Sequence, residues 1–354
     1  MSPSESDLTK ALVDEVRQAH DSGTRLHLIG ADTKPFLGLS VEGRRLSLRE
    51  HRGIVHYEPA ELVLTARAGT PLSEIHHLLA AQGQWLPFEP PSFGSSATLG
   101  GTIACGLSGP ARPFFGAARD FVLGVRLLDG RGRVLRFGGE MIKNVAGFDV
   151  ARLVTGAQGT LGALLEISLK VSPKPSASET LTWEEGQKDA VRVLSELAVK
   201  PFSLSAACHD GERLFLRLSG TEAGVRAAAK RIGGDRLADP DAFWRSLRER
   251  THPFFSMPGA IWRLSVPPAT LPLAPGAGAL LIDWGGAQRW WKGSAEPAVV
   301  WEWARSMGGH AALLDSGRCQ MQPLDPALFA LQKRLKAAFD PKGILNPGRL
   351  YDER

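Results

Sequence analysis

Cysteine is scarce. Cys105, Cys208 and Cys319 are the only three in 354 residues, they lie far apart, and none sits in a C-x-x-C pair. A disulfide framework is therefore not expected, nor an iron–sulfur cluster or four-cysteine zinc site held by this chain alone. A reducing cytoplasm fits. Long apolar runs are missing too. No stretch approaches the roughly 18 residues of a membrane span, and the polar opening MSPSESDLTK has no signal-peptide core. Peripheral attachment at an inner membrane would then run through a partner.

Charge of one sign is not concentrated anywhere. The net charge is +5 and the pI ≈ 9.2, but Lys and Arg are spread along the chain without a basic run. Nucleic acid is not expected as a partner, whereas the mild positive field favours small anionic substrates or acidic partners. Familiar site motifs are also absent. There is no G-x-G-x-x-G after a strand, no G-x-x-x-x-G-K-[ST], no H-E-x-x-H and no G-x-S-x-G. The nine histidines show no ligand spacing, and adjacent His76 and His77 point apart on a helix, so no metal is expected.

What the chain does have is PPSFGSSATLGGTIACGLSG, residues 90–109, rich in glycine and nearly free of charge. Gly94, Gly100, Gly101, Gly106 and Gly109 lack a Cβ, which lets backbone lie against something flat or anionic. Taken alone, the stretch reads equally as a glycine-rich surface loop.

Around it the pattern predicts a helix from Leu8 to Ala19, capped by Ser4 or Ser6 and stopped by Gly23. A short strand over residues 25–29 runs into Gly30-Ala31-Asp32-Thr33-Lys34, a turn of small residues whose amides suit a phosphate, although the Asp32 carboxylate must then point away. Strands follow near Leu46, Val55 and residues 62–66. Thr70 caps the next helix, with Pro71 at its first position and Gly83 as its stop. Two strands span residues 121–137 about a turn at 129–132, a short helix covers 149–154, and Gly156, Gly159 and Gly162 mark a second glycine-dense turn. From Leu165 to Val171 apolar and polar residues alternate, which predicts a half-buried strand. Pro173 and Pro175 end it and set a domain boundary, giving residues 1–175, 176–320 and 321–354. The middle segment predicts four helices (189–198, 222–232, 241–250, 297–307) on one face of a largely antiparallel sheet of five strands (203–208, 214–218, 262–266, 279–284, 310–314). Its tryptophans, Trp284, Trp290 and Trp291 among them, are expected to pack rather than to cage a substrate. Residues 267–278 read as a loop. The tail predicts a helix over 326–339 and a tight turn, DPKGILNPGRL, that packs back on the first domain.

The segments LIGADTK, ATLGGTIACGLSGP with PFFGAARDFVLG, and KNVAGFDVARLVTGAQGTLGALLEISLKVSPKP resemble the vanillyl-alcohol-oxidase-type (PCMH-type) FAD-binding domain. The ending FDPKGILNPGRL is similar to the C-terminus of that superfamily's hydroxy-acid dehydrogenases. More narrowly, HRGIVHYEPAELVLTARAGTPL, LPFEPP, RFGGEMIKNVAGFD and IDWGGAQRW resemble the FAD-binding E subunits of bacterial glycolate oxidases. The resemblance implies an α+β fold: a two-subdomain PCMH-type FAD-binding domain, an α+β cap domain, and a C-terminal segment returning to the FAD domain. It implies FAD, with Ile29, Gly30, Ala31, Asp32, Thr33 and Lys34 as the first pyrophosphate loop. Thr98, Leu99, Gly100, Gly101 and Thr102, then Cys105 and Gly106, would follow the diphosphate and ribityl chain. Gly156, Gly159, Thr160, Leu161 and Gly162 would approach the ring system, and Ile167 the adenine side. Lys143 and Asn144 are further candidates near the ring.

Relatives with covalent flavin carry His in the first loop or Cys in a longer glycine run. Asp32 and Thr33 stand here instead, so non-covalent FAD is expected. The superfamily's H-x-G-D-G-N-x-H substrate and metal motif is missing, and His209-Asp210-Gly211 is only an echo of it. Two readings remain. In one, the chain is the FAD-binding subunit of a glycolate-oxidising complex, working on a small 2-hydroxy acid with a homologous FAD-containing catalytic subunit and an iron–sulfur subunit. In the other, its FAD is structural and the chain serves assembly. No catalytic residue can be named from the sequence.

Overall fold

A computed structural model describes residues 5–139, 149–315 and 318–351. The first helix, Thr9–Ser22, buries Leu12, Val13, Val16 and Ala19 and ends at Gly23 in the left-handed region (φ 69°). Its start differs from expectation. Ser4 lies outside the described residues, and Ser6 is bridged to Arg52 instead of capping. The Leu8 amide donates to Nδ1 of buried His51 (3.0 Å), and the Thr9 amide to Asp7 (2.9 Å).

The strand Leu26–Ile29 pairs in parallel with Arg44–Ser47 on one side. On its other side lies the far end of the chain: the Leu26 amide donates to Ile344 O (2.7 Å), and the Asn346 amide to Leu26 O (2.9 Å). The Asn346 side chain accepts from the Leu28 amide (2.7 Å) and donates to Gln158 O (2.6 Å). The tail helix Pro326–Phe339 precedes this turn, and Lys336 ties the two together through Asp340 and Thr160 O, both at 2.7 Å.

A five-stranded antiparallel sheet runs in the order Ile54–Glu58, Val63–Arg67, Ala163–Lys170, Val122–Leu128, Val134–Gly138. Its middle strand corrects the half-buried expectation, for residues 163–169 are all buried. Both faces are covered, and the alternating polar side chains are satisfied inside. Glu166 pairs with Arg126, and the Ser168 hydroxyl meets that of Thr65 at 2.8 Å. The helix Leu72–Ala80 packs Leu72, Ile75 and Leu79 into the same core. Pro71, not Thr70, stands at its N-cap. Thr70 instead exchanges hydrogen bonds with the backbone of Gly53, and the helix ends before Gly83.

Residues 177–321 build one nine-stranded sheet, antiparallel throughout. Helices Gln187–Ala198, Glu222–Ile232 and Pro297–Ser306 cover one face through Leu194, Val225 and Val300. The fourth helix, Pro240–Arg248, lies on the opposite face with Phe254, where Leu37 of the first segment joins it. Four strands went unforeseen. Gln288–Gly293 shows no alternation because Trp290 and Trp291 are both buried, one on each face of the sheet. Ala177–Glu184 lies just past the expected boundary, and Asp235–Arg236 and Arg318–Met321 are short edges. No helix among the described residues is long and apolar enough to cross a membrane.

Candidate flavin site

The turn at residues 30–34 leaves the end of the first strand and lines a cleft with about 830 Å³ of empty space. Among the described residues nothing accepts from the amides of Gly30, Ala31, Asp32, Thr33 or Lys34. Asp32 is in the left-handed region (φ 53°), which helps to turn successive amides toward one concavity. Lys34 is 7% exposed; it donates to Thr33 Oγ1 and Ser92 O, each at 3.3 Å, and lies 5.9 Å from the centre of the Phe93 ring. Its own burial lowers its pKa, with Cys105 and Glu249 opposing. A run of free amides beside a buried ammonium without a carboxylate partner is what a diphosphate requires.

The helix Leu99–Cys105 behaves differently. Its first amides are all engaged: Leu99 with Thr70 O, Gly100 with Ala68 O, Gly101 with the Thr98 side chain and Thr102 with Thr98 O. Thr98, Gly100, Gly101 and Cys105 line the cleft, but this helix start has no amide left to offer. The glycines mostly serve loop-to-loop packing. A Cβ on Gly30 would fall 2.5 Å from Thr98 Oγ1, one on Gly100 would fall 2.6 Å from Ala68 Cβ, and one on Gly106 would fall 2.9 Å from Gly156 Cα. A Cβ on Gly94 or Gly156 would make only ordinary contacts, 3.7 Å from Thr33 Cγ2 and 4.0 Å from Gly106 Cα respectively.

Gly159 and Gly162 also line this first cleft, while Gly106, Gly156, Thr160 and Leu161 line a second. Leu99 and Ile167 are in the core, and Ile167 is paired to strands on both sides. Thr102 is buried, with its hydroxyl unpartnered among the described residues. Lys143 and Asn144 lie outside the described residues.

The second cleft, with about 1970 Å³ of empty space, opens between the FAD-binding segment and the cap sheet. Cys105 and Gln158 border both clefts, so the two lie side by side. Its floor is the Gly106 and Gly156 turns; its roof is a face of the cap sheet carrying Arg263, Ser265, Asp283, Gln288, Trp290 and His310. Burial raises Asp283 to about 7, opposed by hydrogen bonds from the Trp284 amide and Gln288. The half-buried Cys105 thiol is pushed up by burial, with Lys34 and Arg349 pulling the other way. Arg263, Ser265 and His310 carry no local motif and strand pairing brings them in, whereas Asp283, Gln288 and Trp290 lie in IDWGGAQRW and Asn346 and Arg349 in NPGRL, where the sequence assigns them no role.

The echo motif plays no part here. His209 is fully buried, its Nε2 2.7 Å from Glu185 O and its Nδ1 accepting from the Gly211 amide at 3.1 Å. It closes a hairpin turn.

A phosphate-ready amide turn leading into a roofed cleft defines a flavin-dinucleotide protein of the FAD-linked oxidase type, and comparison agrees. Residues 7–138 match the FAD binding domain family, and residues 321–350 match the C-terminal domain of FAD linked oxidases. The solved alkyldihydroxyacetonephosphate synthase shares the fold, with a TM-score of 0.65 at 16% identity over 96% of this chain and 76% of that one. The glycolate oxidase subunit GlcE of Escherichia coli (strain K12) is 47% identical over 99% of both chains. Glycolate oxidase subunit GlcD of Bacillus subtilis (strain 168) is 32% identical over 40% of this chain and 30% of its own length. The chain belongs to the GlcE family of glycolate oxidase subunits, and its cofactor is FAD.

Proposed function

We propose that this chain is the FAD-carrying subunit of a complex that oxidises glycolate to glyoxylate and passes the electrons to partner subunits. The partners are a homologous FAD-containing catalytic chain and an iron–sulfur subunit, and the complex is cytoplasmic, reaching a membrane only through them. The observation that carries this reading is the placement of the free amides of residues 30–34 in a cleft that shares Cys105 and Gln158 with the roofed second cleft. Residues 1–175 hold the cofactor without a covalent bond, 176–320 roof it, and 321–354 lock the first strand. Amides of residues 30–34 and Lys34 bind the diphosphate, and Gly106, Gly156, Thr160 and Leu161 border the ring. When bound, FAD supplies the hydride and electron acceptor. The protein's own share is orientation, exclusion of water under the cap sheet, and a positive surround.

The engaged histidine of the His209 turn favours a second reading, in which the cofactor is structural and the partner flavoprotein does the chemistry. Anaerobic mixing with glycolate separates them. Flavin bleaching by the isolated chain at a catalytic rate supports the first. Bleaching only in the assembled complex supports electron relay from the partner or an assembly role, and bleaching in neither removes glycolate as substrate.

A further inference from the structure

Strand register places a polar row across four neighbouring strands of the cap sheet. Asp283 is paired with Gln288, Gln288 with Ser265, and Ser265 with His310. All four line the second cleft. Arg263 stands two residues before Ser265, so it shares this face and lies diagonal to His310. Arg112, from the short helix Arg112–Phe115, reaches the same cleft and rests on the face of Trp284, 4.3 Å from its ring centre.

The charges in this place do not balance. Asp283 is the one acid lining the cleft among the described residues. It sits three strands from His310, roughly 14 Å at the usual spacing of strands. Its oxygens are already occupied by the Trp284 amide (2.7 Å) and Gln288 Nε2 (3.2 Å). Nearby Arg250 is enclosed by Phe36 and Phe93. The Arg263 guanidinium, in contrast, makes no hydrogen bond or ion pair with any described residue, and neither does the His310 ring. Arg263 and Arg112 each disfavour the charged form of His310, which places the three groups within electrostatic reach of one another. Half-buried Arg263 thus faces the cleft with no counter-charge of its own, and a guanidinium fork matches a carboxylate in shape.

We propose that Arg263, with Arg112 and His310, forms an anion pocket in the roof of the flavin cleft that takes the carboxylate of a small 2-hydroxy acid. Ser265 and Gln288, next in the row, are neutral hydrogen-bonding groups suited to the adjacent hydroxyl. The anion pocket stands on the register and the missing counter-charge. The choice of a hydroxy acid rests on the function proposed above.

The test is titration of the FAD-loaded full chain with glycolate, oxalate and neutral glycolamide, read by calorimetry and by perturbation of the flavin spectrum. Oxalate needs no turnover. Arg263→Gln is expected to weaken oxalate by at least about tenfold, the scale of one lost charge-assisted hydrogen bond. Arg263→Lys keeps the charge without the fork and is expected to fall between. His310→Gln is expected to weaken oxalate less than Arg263→Gln, and Arg192→Gln, on an outer helix, to leave it unchanged. Flavin content reports folding; should Arg263→Gln lose FAD, the lysine variant carries the comparison. Equal oxalate affinity in wild type and both Arg263 variants overturns the pocket, as does glycolamide binding as tightly as glycolate. If oxalate binding depends on Arg263 while glycolate bleaches neither chain nor complex, the pocket stands and the functional reading falls. If glycolate bleaches this chain's flavin with the same KM in Arg263→Gln, the reading stands and the pocket falls.

Discussion

The guanidinium of Arg250 lies 3.8 Å from the centre of the Phe36 ring and 4.7 Å from that of Phe93. Phe36 and Phe93 belong to the FAD-binding segment, and Arg250 follows the cap helix Pro240–Arg248. Its neighbour Glu249 accepts from the amides of Ser92 (3.0 Å) and Phe93 (2.7 Å). Two successive cap residues therefore grip one loop, by cation–π contact and by charge-assisted hydrogen bonds. Burial draws Arg250 down to about 10, with Arg263 adding to the effect, so it stays charged at neutral pH.

Arg250→Ala is expected to destabilise the chain by about 2 kcal/mol, combining a desolvated cation–π contact with lost packing. A lower urea midpoint and faster chymotryptic cleavage at Phe93 are the readouts. A midpoint equal to that of wild type would show that the grip is dispensable.

Gly106 and Gly156 meet backbone to backbone, and Gly106 has φ 63°. Gly106→Ala introduces both a left-handed alanine and a 2.9 Å contact with Gly156 Cα. The expected loss is about 2–3 kcal/mol, with less FAD retained on purification. Gly83→Ala, equally left-handed but with nothing near its Cβ, is expected to show only the backbone strain and full flavin content. Equal flavin-to-protein absorbance in the two variants would contradict this.

Asp283 links stability to pH. Its carboxyl titrates near 3.8 in an unfolded chain and about 7 in the folded one. Below the lower value both states hold the proton and burial carries no charge penalty. Between the two only the unfolded chain is ionised, so stability falls as pH rises, and above 7 the loss is complete. The span corresponds to about 4 kcal/mol at most. Asp283→Asn is expected to flatten the decline in Tm between about pH 4 and 7 and to raise stability at pH 8. An unchanged slope assigns the decline to other groups.

The flavin is expected to be released by denaturation. Burial keeps the Cys105 thiol protonated, and Asp32 and Thr33 in the first loop offer no customary flavin linkage. After acid precipitation the yellow colour should stay in the supernatant. Colour in the pellet would falsify the non-covalent assignment.

Local signals proved legible where they were strong. The helices Glu222–Ile232 and Pro326–Phe339 have the expected bounds, and the hairpin around residues 129–132 is where turn chemistry puts it. Burial was misread where polar residues had hidden partners: Glu166 and Ser168 look solvent-facing in sequence until Arg126 and Thr65 are placed beside them. The glycine-rich stretch serves packing as well as the clefts: Gly30, Gly100 and Gly106 make room for Thr98, Ala68 and Gly156 while lining the candidate site. Arg263 and His310 lie 47 positions apart in sequence (310 − 263) and become neighbours only through strand register, which no local pattern encodes.

The hydrogen bonds from Leu26 and Leu28 to Ile344 and Asn346 impose an order on biosynthesis. The phosphate turn hangs from a strand whose second neighbour leaves the ribosome more than 300 residues later (344 − 26). A nascent chain can fold its central sheet early, yet it holds no finished dinucleotide cradle until translation is nearly done. With the dinucleotide held by residues 30–34 as proposed, cofactor capture comes late, and a message cut short a few codons before Ile344 is expected to yield colourless protein.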